Sequence, residues 1–187
     1  MTATAGFFGK IPTRGDFVRH GLPPDFLRAL DAWWQVVLSE SRASLGESWA
    51  EIWMEAPVWR FALAPGVCGP GAVAGLWLPS TDKAGRLFPL TIAAVGPRWR
   101  DVARCVTFLV EAEAIGFRVL EHDTGPDELG EAVANAFTLD GDPLDQPAAG
   151  TSLWWTNGSP LVSPVTRRIT AMPDSRLFAA MLRDEAA

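Results

Sequence analysis

The chain contains no tyrosine, two cysteines, two histidines and no run of lysine or arginine. Each shortage excludes a class of function. Cys68 and Cys105 are too few and too far apart for a disulfide framework or a C-x-x-C metal site, so both read as buried free thiols. His20 and His122 are the only imidazoles, and a lone histidine is ordinarily structural rather than a general base. A serine hydrolase wants a nucleophile elbow, and no G-x-S-x-G occurs. Ser80 and Asp82 with the distant His122 match a triad in residue type alone. The net charge of −6, without a basic stripe, speaks against tracking nucleic-acid phosphates or lying on an anionic membrane. Arg167-Arg168, the one adjacent basic pair, reads as a solvated or salt-bridged strand edge. Met1 to Gly9 lacks the basic and apolar regions of a signal peptide, and no stretch approaches the roughly 20 apolar residues of a membrane span. The expectation is a cytoplasmic protein without membrane insertion.

What is present is the composition of a globular domain: 187 residues, 48% apolar and 20% charged. One domain over residues 1–187 is expected. Aromatic and β-branched residues at Gly6 to Ile11 predict a strand that Pro12 stops, and Pro12 to Pro24 reads as loop. Pro23-Pro24-Asp25 signals a helix start, after which Phe26, Leu30, Trp33, Trp34, Val37 and Leu38 recur at helical spacing. A shorter helix, Glu47 to Glu55, stops before Pro57.

Strands follow at Val58 to Leu63, Val73 to Leu78 and Leu87 to Val95, the last two joined across the loop Pro79 to Arg86. From Trp99 a long helix is predicted with Val102, Val106, Leu109, Val110, Phe117 and Leu120 on its buried face. Asp127 to Phe137 is a further helix, introduced by Pro126. Ser152 to Thr156 and Val165 to Ala171 are strands, and Asp174 to Arg183 a last helix. Hairpin-forming strands with helices in separate blocks give an α+β class: a mostly antiparallel sheet covered by α-helices.

Several motifs invite chemistry and lose it on inspection. Gly6-Phe7-Phe8-Gly9-Lys10 is too short for a phosphate loop and continues with Ile11 instead of Ser or Thr. Arg14-Gly15-Asp16 spells an adhesion tripeptide, but a turn at Gly15 with Asp16 accepting from nearby amides accounts for it. Asp140, Asp142 and Asp145 suggest calcium, yet position 151, where a closing Glu belongs, is Thr. Nine tryptophans are the compositional oddity. Trp33, Trp34, Trp53, Trp59 and Trp77 fall on apolar faces and read as core, whereas Trp154 and Trp155 must point to opposite faces of one strand, leaving one partly exposed.

Three segments in succession carry a resemblance. They are Gly-Phe-Phe-Gly-Lys-Ile-Pro-Thr-Arg-Gly-Asp-Phe-Val from Gly6, Ala-Pro-Val-Trp-Arg-Phe-Ala-Leu from Ala56, and Pro-Ser-Thr-Asp-Lys-Ala-Gly-Arg-Leu-Phe-Pro-Leu-Thr from Pro79. Together they resemble the TagF family of type VI secretion-associated proteins. The likeness is strong from Gly6 to about Ala94; beyond it rests on element order and on Ser152 to Trp155. Leu87 departs from the Tyr found in many relatives.

The resemblance implies a cytoplasmic, bacterial accessory protein that represses type VI secretion after translation by binding the forkhead-associated scaffold protein, with no cofactor and no enzymatic activity. Some relatives carry a fused phosphatase domain, for which the sequence up to Ala187 leaves no room. The residues carried over are Lys10, Arg14 and Asp16 in the first segment and Asp82, Arg86 and Pro89 in the second. If the two segments adjoin, Lys10 or Arg14 pairs with Asp82, and Arg86 with Asp16. Two alternatives stay open: an enzyme whose pocket gathers Lys10, Asp16, Asp82 and Arg86, and a structural subunit of the secretion apparatus.

Overall fold

The computed structural model describes residues 2–184. Seven strands form one antiparallel sheet: β1 (Thr4–Gly9), β2 (Val18–His20), β3 (Trp59–Leu63), β4 (Ala72–Leu78), β5 (Leu90–Gly96), β6 (Thr151–Thr156) and β7 (Val165–Thr170). Their order across the sheet is β2-β1-β5-β4-β3-β6-β7. Five helices accompany them among the described residues: α1 (Pro24–Leu45), α2 (Trp49–Met54), α3 (Val106–Glu121), α4 (Pro126–Ala136) and α5 (Ser175–Leu182). The α+β class and the antiparallel, helix-covered sheet expected from the sequence are what the chain adopts.

Every residue of β4 and β5 is buried. That explains why Ala72 to Leu78 and Leu90 to Gly96 read as continuous apolar runs: with helices on both faces, neither face has a reason to be polar. The two layers differ in the side chains they use. On one face Phe8, Trp59, Phe61, Trp77 and Trp154 pack with Trp34 of α1, Trp53 of α2 and Phe178 of α5. On the other, Ala62, Ala72, Ala74 and Ala94 lie beneath Phe108, Ala112, Ile115 and Val119 of α3 and Leu129 and Val133 of α4. Small residues bring α3 close: a Cβ on Gly116 would sit 2.9 Å from Leu78 Cδ2.

Three expectations are corrected. β2 lies inside the stretch read as loop, because three residues are too few to show alternation, and pairing with β1 is what makes them a strand. β1 runs from Thr4 and ends at Gly9, two residues earlier than expected. The helix expected from Trp99 begins at Val106; Trp99–Asp101 is a 3₁₀ turn in which Asp101 accepts from the Arg98 amide at 3.0 Å. Within α3 the buried face is Phe108, Leu109, Ala112, Ile115, Gly116 and Val119. Val110 and Phe117, expected inside, are 61% and 45% exposed.

The tryptophans behave largely as expected. Trp34, Trp53, Trp59 and Trp77 are fully buried, and of the Trp154-Trp155 pair only Trp154 is. Trp33 is half-buried and donates its indole N–H to Pro173 O at 2.7 Å. Both cysteines are buried and free, and desolvation pushes each thiol up to about 12. Among the described residues no helix is long and apolar enough to cross a membrane.

Candidate interaction site

The two polar segments meet at one edge of the central strands because β1 pairs with β5 through Gly9↔Leu90. Gly9 makes that approach possible. Its φ is +146°, and a Cβ there would lie 2.0 Å from the carbonyl oxygen of Pro89. The next amide, Lys10 N, donates to the same carbonyl at 3.3 Å. From this anchor the Lys10 side chain enters the protein instead of solvent.

The β4–β5 hairpin receives it. Ser80 Oγ donates to Lys10 O at 2.8 Å, and Ser80 O accepts from Phe88 N at 3.1 Å. At the tip the Asp82 amide donates to Arg86 O at 3.1 Å and Gly85 N donates to Asp82 O at 2.9 Å. The Asp82 carboxylate then takes four donors. Oδ1 accepts the amides of Ala84 and Arg86, each at 2.9 Å, and Oδ2 accepts Lys10 Nζ at 2.8 Å and Arg86 Nε at 2.7 Å. A carboxylate offers about four lone-pair sites, so Asp82 is saturated. Its side chain has no solvent exposure and that of Lys10 has 9%.

Such a charge survives burial only when paired and hydrogen-bonded. The Lys10 ammonium holds the Asp82 carboxyl far below its usual range, helped by Arg86 and the two amides and opposed by desolvation.

Two further bonds close the unit. Arg86 Nη2 donates to Gly15 O at 2.5 Å, and Lys83 N donates to Arg14 O at 2.9 Å. Lys10 therefore pairs with Asp82 as expected, whereas Arg86 does not pair with Asp16. It shares Asp82 with Lys10 and uses its outer nitrogen on a backbone carbonyl. Arg14 is not a partner of Asp82 either. Its side chain is exposed, with one long contact to Thr13 O at 3.5 Å. Asp16 is exposed and has no hydrogen-bond partner among the described residues, so neither the ion pair nor the turn-capping role foreseen for it is present. Pro89 is buried and serves through its carbonyl.

Sequence reading missed Phe17. Its ring stacks on Phe8 at 5.7 Å, meets Phe88 edge-on at 4.7 Å, and lies 5.2 Å from Lys10 Nζ, yet it remains 47% exposed. The only signal was its place between Asp16 and Val18 in the first motif. Ser80 is not placed to act as a nucleophile: its hydroxyl is bonded to Lys10 O, and nearby Asp82 is fully engaged by cations and amides. Neither bonds to His122. The acidic loop shows no ligand geometry: Asp140 accepts from Thr138 Oγ1, Asp145 pairs with Arg168 at 2.6 Å, and no group of three or more His, Cys, Asp or Glu among the described residues is placed to hold a metal.

Comparison with known proteins agrees with the motif order. A family model described as the TagF N-terminal domain, type VI secretion system-associated, matches residues 6–136. Among solved structures, the crystal structure of PA0076 from Pseudomonas aeruginosa PAO1 superposes with a TM-score of 0.83 at 30% identity, over 98% of this chain and 96% of that one. No curated protein matches the chain.

Proposed function

The chain belongs to the TagF family of type VI secretion-associated proteins, and from that premise we propose that it is a cytoplasmic accessory protein that represses secretion after translation by binding the forkhead-associated scaffold of the apparatus. The observation that carries this reading is the Asp82 clamp. It locks the hairpin tip and the Lys10 to Phe17 segment into one rigid unit in which Lys10, Asp82 and Arg86 are spent on each other, as suits a recognition surface held in a fixed shape. Chemistry at this site would require a group with a free lone pair or proton. Asp82 has none to spare, and Asp16 shares no hydrogen bond with Lys10, Asp82 or Arg86. An enzyme reading built on Lys10, Asp16, Asp82 and Arg86 is accordingly disfavoured.

The reading is tested in a bacterium carrying the secretion system. Overproducing the protein lowers effector release into the medium while the intracellular effector level stays constant, and deleting its gene raises release. Unchanged release in both strains, with the protein confirmed present or absent by immunoblot, contradicts repression. A fall in effector transcript would place the action before translation. Co-purification with assembled sheath or baseplate, in place of the scaffold, would favour the structural-subunit alternative.

A further inference from the structure

The sheet ends on one side at β2, three residues long, and on the other at β7, six residues long. A short edge gives another chain little to pair with, whereas a long one presents a row of open amides and carbonyls. The open groups of β7 can be assigned. Ala171 N donates to Gly150 O at 2.9 Å, and bonding residues alternate along an antiparallel ladder, so Ile169, Arg167 and Val165 bond to β6. Thr166, Arg168 and Thr170 therefore turn their N–H and C=O groups away from the sheet, and no described residue bonds to them. Their side chains are exposed as well. The row is closed at both ends. Pro164, the next residue in it, has no N–H, and Ala171 leaves extended backbone at φ +56°. What the edge offers is three residues centred on Arg168.

Their order, Thr-x-Arg-x-Thr, reads the same in both directions, which is what a two-fold axis requires. We propose that β7 pairs antiparallel with β7 of a second copy of this chain, with the axis at Arg168, so that one sheet runs through both subunits. In this register Thr166 lies opposite the partner's Thr170 and Arg168 opposite the partner's Arg168. Each opposed pair exchanges both its bonds, and every open group in the row is satisfied. Thr against Thr is a favourable cross-strand pair. Facing arginines ordinarily repel, which protects many edges. Here Arg168 Nη2 already holds Asp145 Oδ2 at 2.6 Å, so two ion pairs meet at the axis, not two bare cations. On the other face the apolar stem of Arg167 lies against the partner's Ile169, and Val165 and Ile169, half-buried in one copy, gain cover. A register shifted either way sets Thr opposite Arg and leaves open groups facing Pro164 or the turn at Ala171. Charge does not call for a foreign acidic strand. Arg168 has Asp145, and Arg167 adds its charge to the Ser163 amide in holding the Asp184 carboxyl below its ordinary value.

The inference does not depend on the scaffold-binding reading, and β7 lies outside the residues 6–136 matched to the family. Sedimentation velocity of the purified full chain across micromolar concentrations tests it. The wild type sediments at twice its 20.2 kDa mass at the upper end. Thr166→Pro removes an amide that one copy alone does not use, a change an edge strand tolerates, and this variant, confirmed folded by circular dichroism, sediments as monomer. Thr166→Ala keeps the amide and stays dimeric. Cysteine variants then read the register. Arg168→Cys cross-links to its own copy under mild oxidation, since facing Cα atoms in such a pair lie about 5.5 Å apart, within disulfide reach. Thr166→Cys does not, because its counterpart lies more than about 13 Å away along the strands. The native Cys68 and Cys105 are buried and take no part.

A monomer at every concentration overturns the proposal, and so does a dimer that folded Thr166→Pro leaves intact. Where the Pro variant does not fold, the cysteine variants decide alone. Cross-linking of Arg168→Cys and not of Thr166→Cys supports the paired edge, while equal cross-linking of both, or of neither, overturns it.

Discussion

Asp82 is bound by two cations and two amides, and its ionisation is therefore tied to the fold. Its carboxyl in the folded protein titrates far below the ordinary value of 3.8, chiefly because Lys10 donates to it. A depressed carboxylate contributes stability that is fully present above its unfolded value and is lost as pH falls toward its folded one. The wild type should lose stability as pH drops below about 4, and Asp82→Asn, which has no charge to lose, should follow this fall less steeply. At pH 7 the Asn variant should melt lower by on the order of 10 °C, since Lys10 is left buried without its counter-ion. Thermal melts of both proteins from pH 7 to pH 2.5 check this. A gap that stays constant across the range would mean that Asp82 contributes through packing alone.

At the level of elements, the sequence was most readable where periodicity was long and turn signals were strong. α1 begins at the Pro24 signal and buries Phe26, Leu30, Trp34, Val37 and Leu38, five of the six residues placed on its face by spacing. β4 and β5 were legible as apolar runs. The failure at α3 has a physical source: the helix is apolar on more than one side, so spacing alone admits two faces. The choice is made by Gly116, whose lack of a side chain lets the helix settle onto Leu78.

This yields a contrast. Val119→Ala, at a position 1% exposed, should cost about 1–3 kcal/mol through lost burial and a cavity. Phe117→Ser, on the outer side, should change stability by no more than about 0.5 kcal/mol. Denaturant midpoints of the two variants decide between the faces, and a large loss at Phe117 would show that the periodicity was right after all.

For the molecule as a whole, the single sheet couples two layers that each contain one cysteine. Cys68 packs in the layer with α1, α2 and α5, and Cys105 in the layer with α3 and α4. With both thiols enclosed and pushed up to about 12, a thiol reagent at pH 8 should modify neither in the native state and should reach both at the rate of global opening. Mass spectrometry of partly labelled protein should show unmodified and doubly modified species with little between. A dominant singly modified species would mean that one layer opens alone.

Long-range pairing was the part least open to sequence reading. The composition of each segment predicted strands, but nothing local told that β1 would lie against β5 or that β3 would join β6. The proximity of Lys10 to Asp82, 72 positions apart, followed from that topology and from the motif order, whereas Arg86's use of Asp82 in place of Asp16 was decided by hairpin geometry.

The central claim is that the unit built by Asp82 presents a surface to the scaffold protein. Hydrogen exchange of the full chain with and without saturating scaffold tests it most directly. The account predicts slowed exchange in peptides covering residues 12–18 and 81–88, with the outer side of α3 unchanged. Binding that leaves those peptides unaltered and protects a different face would contradict it.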